Sequence, residues 1–148
     1  MKLGETHPST LSTMGNLANA YDHQGKYSDA EALNKQYLAK MTIVLGESHH
    51  TTLDTMNNLA GTYNLHGRHI EAEVQYKHCL DKRKVVLGES HPLTLRTMSN
   101  LAGTYHRQRR QSDAEVLFKQ CLDKQKVVLG ESHPDTINTM SILSYEAC

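Results

Sequence analysis

Four histidines recur at a fixed spacing along the chain, and histidine is the commonest protein ligand for metals. His7, His49, His91 and His133 follow one another at intervals of 42 residues. A zinc ion needs its ligand nitrogens within about 2 Å. Packed helices lie about 8–10 Å apart, so side chains at one position of successive helices form a ladder and cannot surround one ion. We therefore expect no metal and no cofactor, and we expect these histidines to cap and pack helices.

Cysteine is the second residue type that could do chemistry here. Cys79 and Cys121 are also 42 residues apart, and a disulfide needs Cα atoms within about 7 Å of each other. We expect both to be buried as small apolar residues and Cys148 to be exposed and free. Three cysteines without a pairing pattern are typical of a reducing compartment, which predicts a cytoplasmic protein.

The sequence carries no motif of nucleophilic or phosphate chemistry. It has no G-x-S-x-G segment, no phosphate-binding glycine loop and no nucleophile with an evident base. We expect a protein that is not an enzyme. Arg107, Arg109 and Arg110 form a short basic run, which we interpret first as a solvated loop tip. The alternative is a local contact with an anion or an acidic peptide.

The elements that must position these residues come from an internal repeat. LGETHP at Leu3 returns as LGESHH at Leu45 and as LGESHP at Leu87 and Leu129. Residues 45–86 and 87–128 are identical at 27 of 42 positions. We predict a single domain, 1–148, made of repeats 3–44, 45–86 and 87–128 and a partial repeat, 129–148.

Each repeat has the apolar spacing of two helices. One stripe, in the second repeat, consists of Leu53, Met56, Leu59, Ala60 and Tyr63. A turn with glycine and a second stripe follow, and no segment reads as a strand. One hairpin cannot bury both of its faces, so the pairs must stack. This predicts an all-α right-handed solenoid of antiparallel helix pairs, three repeats plus one extra helix. Ser132 and Asp135 have the spacing of a capping box at that last helix.

Composition excludes several classes of protein. The 148 residues carry 16 basic and 16 acidic side chains, whereas a nucleic-acid binder normally has a basic excess. No apolar run approaches the length of about 18 residues that a transmembrane helix needs. We expect neither nucleic acid nor membrane as a partner.

The repeat resembles a known family. N-L-A-x-x-Y, a turn glycine, A-E and a small residue at Cys79 and Cys121 resemble the tetratricopeptide repeat. The 42-residue period and the phrase LGExHPxT are similar to the arrays of kinesin light chain, nephrocystin-3 and the tails of nucleotide-binding immune-type receptors. Three positions depart from the pattern: Arg109 replaces a turn glycine, and Asn34 and Tyr37 replace an aromatic and a small residue.

A polar stripe lies opposite the apolar stripe of each first helix. Its members at helical spacing include Asn16, Asn19, Asn58, Gly61, Arg96, Asn100, Gly103 and Arg107. An asparagine amide can pair with one peptide unit of an extended ligand. A glycine inside a helix costs about 1 kcal/mol relative to alanine, which suits a ligand backbone that approaches closely. The alternative is that Gly61 and Gly103 allow tight contact between helices.

The resemblance adds residue roles to this stripe. In kinesin light chains the asparagine of N-L-A faces the concave groove and contacts the main chain of cargo peptides, which implies Asn16, Asn58 and Asn100. Of the family's basic groove positions, Arg83 and Arg96 match, so a preference for acidic peptides is half supported. We predict a protein-interaction module that binds an extended protein or peptide segment in that groove.

A structural role is the alternative function. The last helix carries Ile142, Leu143 and Tyr145 without a following second helix. An uncovered apolar end favours association with another copy. The alternative function is a self-assembling scaffold piece, in the form of a homodimer through this helix.

Overall fold

A computed structural model describes residues 17, 18, 20, 21 and 23–146, all of them outside any strand. The helices of this part run α1 Tyr27–Leu45, α2 His50–Leu65, α3 His69–Leu87, α4 Pro92–Arg107, α5 Gln111–Val128 and α6 Pro134–Glu146. The fold is all-α, as the repeat predicts. None of these helices has the length and apolar character needed to cross a bilayer. The chain divides into two compact units, 1–75 and 76–148, with the boundary inside α3.

The first unit is built on the contact between α1 and α2. The apolar stripe of α2 is buried as the spacing predicts, with Leu53, Met56 and Leu59 at most 5% exposed. Asn34 is also buried, where the later repeats have an aromatic residue. Its Nδ2 donates to Thr62 Oγ1 at 3.1 Å, and this hydrogen bond offsets the desolvation of the amide.

The second unit pairs α4 with α5 and adds α6 against α5. Leu95, Met98 and Leu101 are the buried stripe of α4, equivalent to the stripe of α2. Ala102, Ala114 and Phe118 form a second buried cluster between α4 and α5. The same periodic apolar spacing therefore produces the same buried faces in both units.

Threonine supplies much of the buried polar surface of the first helices. Thr55 Oγ1 donates to the Thr51 carbonyl at 2.8 Å, and Thr97 Oγ1 donates to that of Leu93 at 3.2 Å. This bond to the carbonyl four residues back gives each hydroxyl an acceptor within its own helix. Because such hydroxyls are satisfied locally, the first helices can pack closely although they are rich in polar residues.

The turn between the two helices of a hairpin needs one residue in the left-handed region. Gly67 has φ 77° in the second repeat, and Arg109 has φ 62° in the third. An L-residue with a Cβ is strained there, whereas glycine is not. The departure of Arg109 from the family pattern has not changed the turn: the N–H of Arg110 donates to the Tyr105 carbonyl at 2.9 Å, as that of Arg68 does to Tyr63 at 2.8 Å.

A buried carboxylate organises the first unit. Glu31 is 8% exposed. Its oxygens accept from Arg68 Nη1 and Lys35 Nζ, and His66 Nδ1 lies 3.8 Å away. Burial alone would raise the pKa of Glu31, but the hydrogen bonds from Lys35 and Arg68 outweigh burial and the pKa lies below its ordinary value of 4.5. The sequence analysis missed this cluster, although its acidic residue belongs to the A-E pair of the repeat.

Candidate functional site

The linker histidines set where each first helix begins. The Nδ1 atoms of His49, His91 and His133 each accept at 3.1 Å from the backbone N–H two residues later. His49 and His91 have extended backbone before the helix, as N-caps do. The prediction that these histidines cap helices is confirmed for all three, and His7 lies outside the described residues. The predicted box of Ser132 and Asp135 is wrong, because His133 and not Ser132 caps α6.

The polar stripe is accessible on both complete first helices. On α2, Asn58 is exposed and Gly61 is half-buried. On α4, Arg96 and Arg107 are exposed, while Asn100 and Gly103 are half-buried. The opposite faces carry the buried leucines and methionines, so these residues lie on the side of each helix that faces away from its core. Asn16 and Asn19 lie outside the described residues.

The space around Gly103 is open. A Cβ added to this residue would meet no atom within 4 Å. The alternative explanation for Gly103, tight contact with a neighbouring helix, is therefore wrong. What remains is a half-buried helix position with room for at least a methyl group beside the backbone.

Arg83 is not a residue of this face. It is 2% exposed, and its Nη1 donates to Thr97 Oγ1 at 2.7 Å and to the Leu93 carbonyl at 3.4 Å. The equivalent positions, Met41 and Gln125, are equally buried. The prediction that Arg83 binds a peptide is wrong, because its guanidinium is committed inside the second unit. The sequence does hold a signal that this position is buried, because the first repeat has the apolar Met41 at the equivalent place.

The electrostatic character of the face differs between the units. The face of α4 carries the two exposed arginines, Arg96 and Arg107. The face of α2 carries the exposed Asp54 at the position equivalent to Arg96. Asp54 also acts on Tyr37, whose pKa is raised first by burial and then by the charge of Asp54. Of α2 and α4, the face of α4 is therefore the one that carries positive charge.

The basic run has two different kinds of member. Arg110 lies with its guanidinium carbon 4.3 Å from the centroid of the Tyr105 ring, and its Nε donates to Asp113 Oδ2 at 2.9 Å. Arg107 and Arg109 are exposed. Arg110 therefore holds the turn together, although it is exposed like Arg107 and Arg109, with 41% of its side chain open to solvent.

The terminal helix is packed more completely than the sequence suggested. Ile142 and Leu143 are half-buried and pack on the cluster of Ala102, Ala114 and Phe118. The side chain of Tyr145 lies outside the described residues. The expectation that Ile142 and Leu143 form an uncovered apolar end is corrected accordingly: both belong in part to the core of the second unit.

Cys79 and Cys121 are buried free thiols, as predicted. Cys121 Sγ donates to the Leu95 carbonyl at 3.5 Å. Burial raises its pKa to about 11, so it is an unreactive thiol in the folded chain. Cys148 lies outside the described residues.

Hairpins of paired helices, repeated at one interval and capped in one way, define a helical-repeat protein. More particularly, the chain belongs to the tetratricopeptide repeat family, whose models match residues 51–126 and 10–51. The repeats are similar to the TPR-like repeats in structures assigned to kinesin light chains. No curated protein sequence matches the chain.

Solved structures agree with this assignment. One similar structure is of a Podosopora anserina protein that is assigned as a kinesin light chain and whose TPR-like repeats are nearly identical to one another. Its TM-score is 0.83 and its sequence identity is 26%, and the match covers 97% of this chain and 68% of that one. BtubC (BKLC) from P. vanneervenii has a TM-score of 0.82 and 21% sequence identity, and the match covers 90% of this chain and 54% of that one. The N-terminal domain of STI-1 from C. elegans has a TM-score of 0.67 and 15% sequence identity, and the match covers 97% of this chain and 99% of that one. The last two likenesses, at lower identity, show the fold alone.

Proposed function

We propose that the chain binds an extended peptide segment along the exposed faces of its first helices. Tetratricopeptide repeats generally mediate interactions between proteins. The observation that carries the finer proposal is the face of α4, where an asparagine and a glycine with open space above it lie between two exposed arginines. In kinesin light chains the equivalent face lines the concave groove.

The chemistry of this face suits a peptide main chain. The amides of Asn58 and Asn100 each offer two donors and an acceptor, which matches the carbonyl and N–H of one peptide unit. At Gly103 the space within 4 Å of where a Cβ would lie is open, which favours the close approach of a ligand backbone. Recognition of the main chain gives affinity without demanding one ligand sequence, as in other modes of extended-peptide binding.

Selectivity for acidic ligands is the second part of the proposal. Arg96 and Arg107 are exposed on α4 and can form charge-assisted hydrogen bonds with carboxylates. With Arg83 removed from the set, these two residues carry the whole preference. Their contribution should weaken as salt increases, because exposed charges are screened.

The experiment begins with selection of binders from a displayed library of random peptides, because no ligand is assumed. The selected peptides are then titrated against Asn58→Ala, Asn100→Ala and the double variant. Each lost hydrogen bond is worth about 0.5–1.5 kcal/mol, so the double variant should bind about tenfold more weakly. Gln120→Ala, at an exposed position on α5, is the matched control. Unchanged affinity of the double variant would refute the assignment of these asparagines.

We also propose the cytoplasm as the location, since the buried cysteines are free thiols and suit a reducing compartment. A self-assembling scaffold is the second candidate function. Among the side chains of α6 that the structure describes, Ile137 is an exposed large apolar residue, at 47%, and we propose that a homodimer through this helix would use it. Sedimentation with and without a selected peptide separates the two functions.

A further inference from the structure

The turn between α4 and α5 carries more positive charge than the equivalent turns of the earlier repeats. In the earlier repeats the three turn residues before the second helix are Gln24–Lys26 and His66–Arg68, with one lysine or one arginine each. In the third repeat, Arg107 ends α4, and Arg109 and Arg110 lie in the turn. The additional arginines, Arg107 and Arg109, are both exposed.

A serine follows these arginines at a specific distance. Ser112 is the second residue of α5 and is exposed. The sequence R-Q-R-R-Q-S places arginines five, three and two residues before it. Ser112 is the only serine or threonine of the chain preceded in this way. Basophilic protein kinases recognise such arginines through carboxylates in their peptide-binding grooves. We propose that Ser112 is a phosphorylation site for a serine kinase of the basophilic class.

The local structure allows the segment to open into a kinase groove. Arg109 has φ 62°, a strained conformation for a residue with a Cβ. Arg110, at the N-cap position, gives α5 no side-chain cap, and the first backbone bond of the helix runs from Ala114 to the Arg110 carbonyl. The ion pair of Arg110 with Asp113 is exposed and so adds little stability. Opening only the residues before the buried Ala114 would break the contact of Arg110 with the Tyr105 ring and the hydrogen bond between His106 and Gln111 at 2.9 Å, and it would leave the core cluster of Ala114 and Phe118 in place.

The reaction is an ordinary phosphoryl transfer from ATP. The Oγ of Ser112 forms a bond to the γ-phosphorus, the bond from that phosphorus to the β–γ bridging oxygen breaks, ADP leaves, and the hydroxyl proton is released to the kinase base. The product carries a charge of about −2 in the first turn of a helix, where the helix dipole favours it. The phosphate would compete with Asp113 for Arg110, and its charge of about −2 would cancel the positive charge of Arg109 and Arg110.

The test uses the full chain, the catalytic subunit of cyclic-AMP-dependent protein kinase as a basophilic probe, and Mg-ATP, with the product mapped by mass spectrometry. We expect one phosphate on Ser112. Ser28 is an internal control, because it is also exposed and the second residue of its helix, α1, but follows one lysine, Lys26. We expect it to stay unmodified.

Arg109→Gly removes the arginine three residues before Ser112 and places glycine at a left-handed position, so the fold is retained. We expect the rate of Ser112 phosphorylation to fall about tenfold in this variant, as loss of one charge-assisted contact implies. The rate should fall less in Arg109→Lys, which keeps the positive charge. Ser112→Ala should abolish incorporation. Circular dichroism checks that each variant is folded.

A synthetic peptide of residues 105–116 completes the design. If the peptide is phosphorylated and the folded chain is not, the fold hides the site and the proposal is overturned. If neither is phosphorylated, or if Ser28 reacts as fast as Ser112, the arginines do not direct a kinase and the proposal also fails. None of these outcomes depends on peptide binding by α2 and α4.

Discussion

Arg68 Nη1 donates to both carboxylate oxygens of Glu31, at 2.6 Å each, across 37 positions of the sequence. The pair ties the turn before α3 to α1, and Lys35 adds a second cation at 2.8 Å. Arg68 also lies over the Tyr63 ring, with its guanidinium carbon 4.9 Å from the centroid. A partly exposed arginine thus fixes a buried carboxylate and an aromatic ring at once.

This arrangement predicts a loss of stability in acid. The pKa of Glu31 is below its ordinary value of 4.5 because hydrogen bonds from Lys35 and Arg68 outweigh burial. The stabilisation is complete above pH 4.5 and is lost as pH falls through the lower folded-state value, since the unfolded chain takes up the proton first. Denaturant unfolding at a series of pH values should show this loss.

Glu31→Gln should remove that part of the pH dependence and lower the unfolding midpoint at neutral pH. Glu115→Gln is the matched control, because Glu115 has the same place in the third repeat and forms an exposed pair with Lys119. Equal effects of the two substitutions would contradict the special role of the buried carboxylate.

The left-handed turn of the third repeat predicts a stabilising substitution. Arg109→Gly relieves a conformation that costs an L-residue about 1–2 kcal/mol, less the entropy that glycine adds to the unfolded chain. We expect a net gain of about 0.5–1 kcal/mol in the free energy of unfolding, measured by circular dichroism in urea. The reverse change, Gly67→Arg, should destabilise by a similar amount. A neutral result for both would mean that the turn is not strained.

The histidine caps predict a substitution series. His91→Ala removes the acceptor of the Leu93 N–H and should cost about 1 kcal/mol of stability. His91→Asn should restore most of it, because asparagine is a preferred N-cap. His78→Ala, at an exposed position inside α3, controls for loss of an imidazole as such. If His91→Asn is as unstable as His91→Ala, then the ring contributes packing and not a cap.

The open space at Gly103 predicts opposite effects on stability and binding. Gly103→Ala should stabilise α4 by up to about 1 kcal/mol, because alanine is the better helix former and its Cβ meets no neighbour within 4 Å. A ligand whose backbone lies against this position would meet the new methyl group, so affinity for a selected peptide should fall. Calorimetric titration and urea unfolding of the same preparation measure both. Higher stability with unchanged affinity would remove Gly103 from the binding face.

The packing of α6 predicts that two isoleucines of one helix behave differently. Ile142→Glu places a charge against the cluster of Ala102, Ala114 and Phe118, so we expect it to lower the free energy of unfolding by about 1–3 kcal/mol. Ile137→Glu, at a residue that is 47% exposed, should leave the fold intact. A change of sedimentation coefficient in Ile137→Glu alone would favour the homodimer.

The sequence was sufficient to predict the helices and their buried faces. Leu53, Met56 and Leu59 recur as Leu95, Met98 and Leu101, and a periodic apolar pattern determines which side of a helix is buried. The histidine caps followed from the 42-residue interval in the same way. On the candidate site, the pattern also placed Asn58, Asn100 and Arg96 on the side away from the core.

The failures concern long or polar side chains whose partners come from another helix. The resemblance to kinesin light chains places Arg83 at a basic position of the groove, but Thr97 Oγ1 and the Leu93 carbonyl accept from it inside the second unit. Ser132 and His133 are both capable caps, and only the backbone geometry selects the histidine. For Arg83 the repeat position predicts burial better than the residue type does, since the apolar Met41 occupies the equivalent position of the first repeat.

Because Cys121 is buried, the rate at which its thiol is alkylated reports the opening of the second unit. Its thiol is inaccessible, and burial raises its pKa to about 11, so alkylation near neutral pH requires the second unit to open. When reclosing outpaces alkylation, the reaction rate measures the equilibrium between closed and open forms, and when alkylation is faster it measures the opening rate itself. Opening of the second unit can thus be measured on the unaltered chain, from the mass that alkylation adds to the peptide containing Cys121.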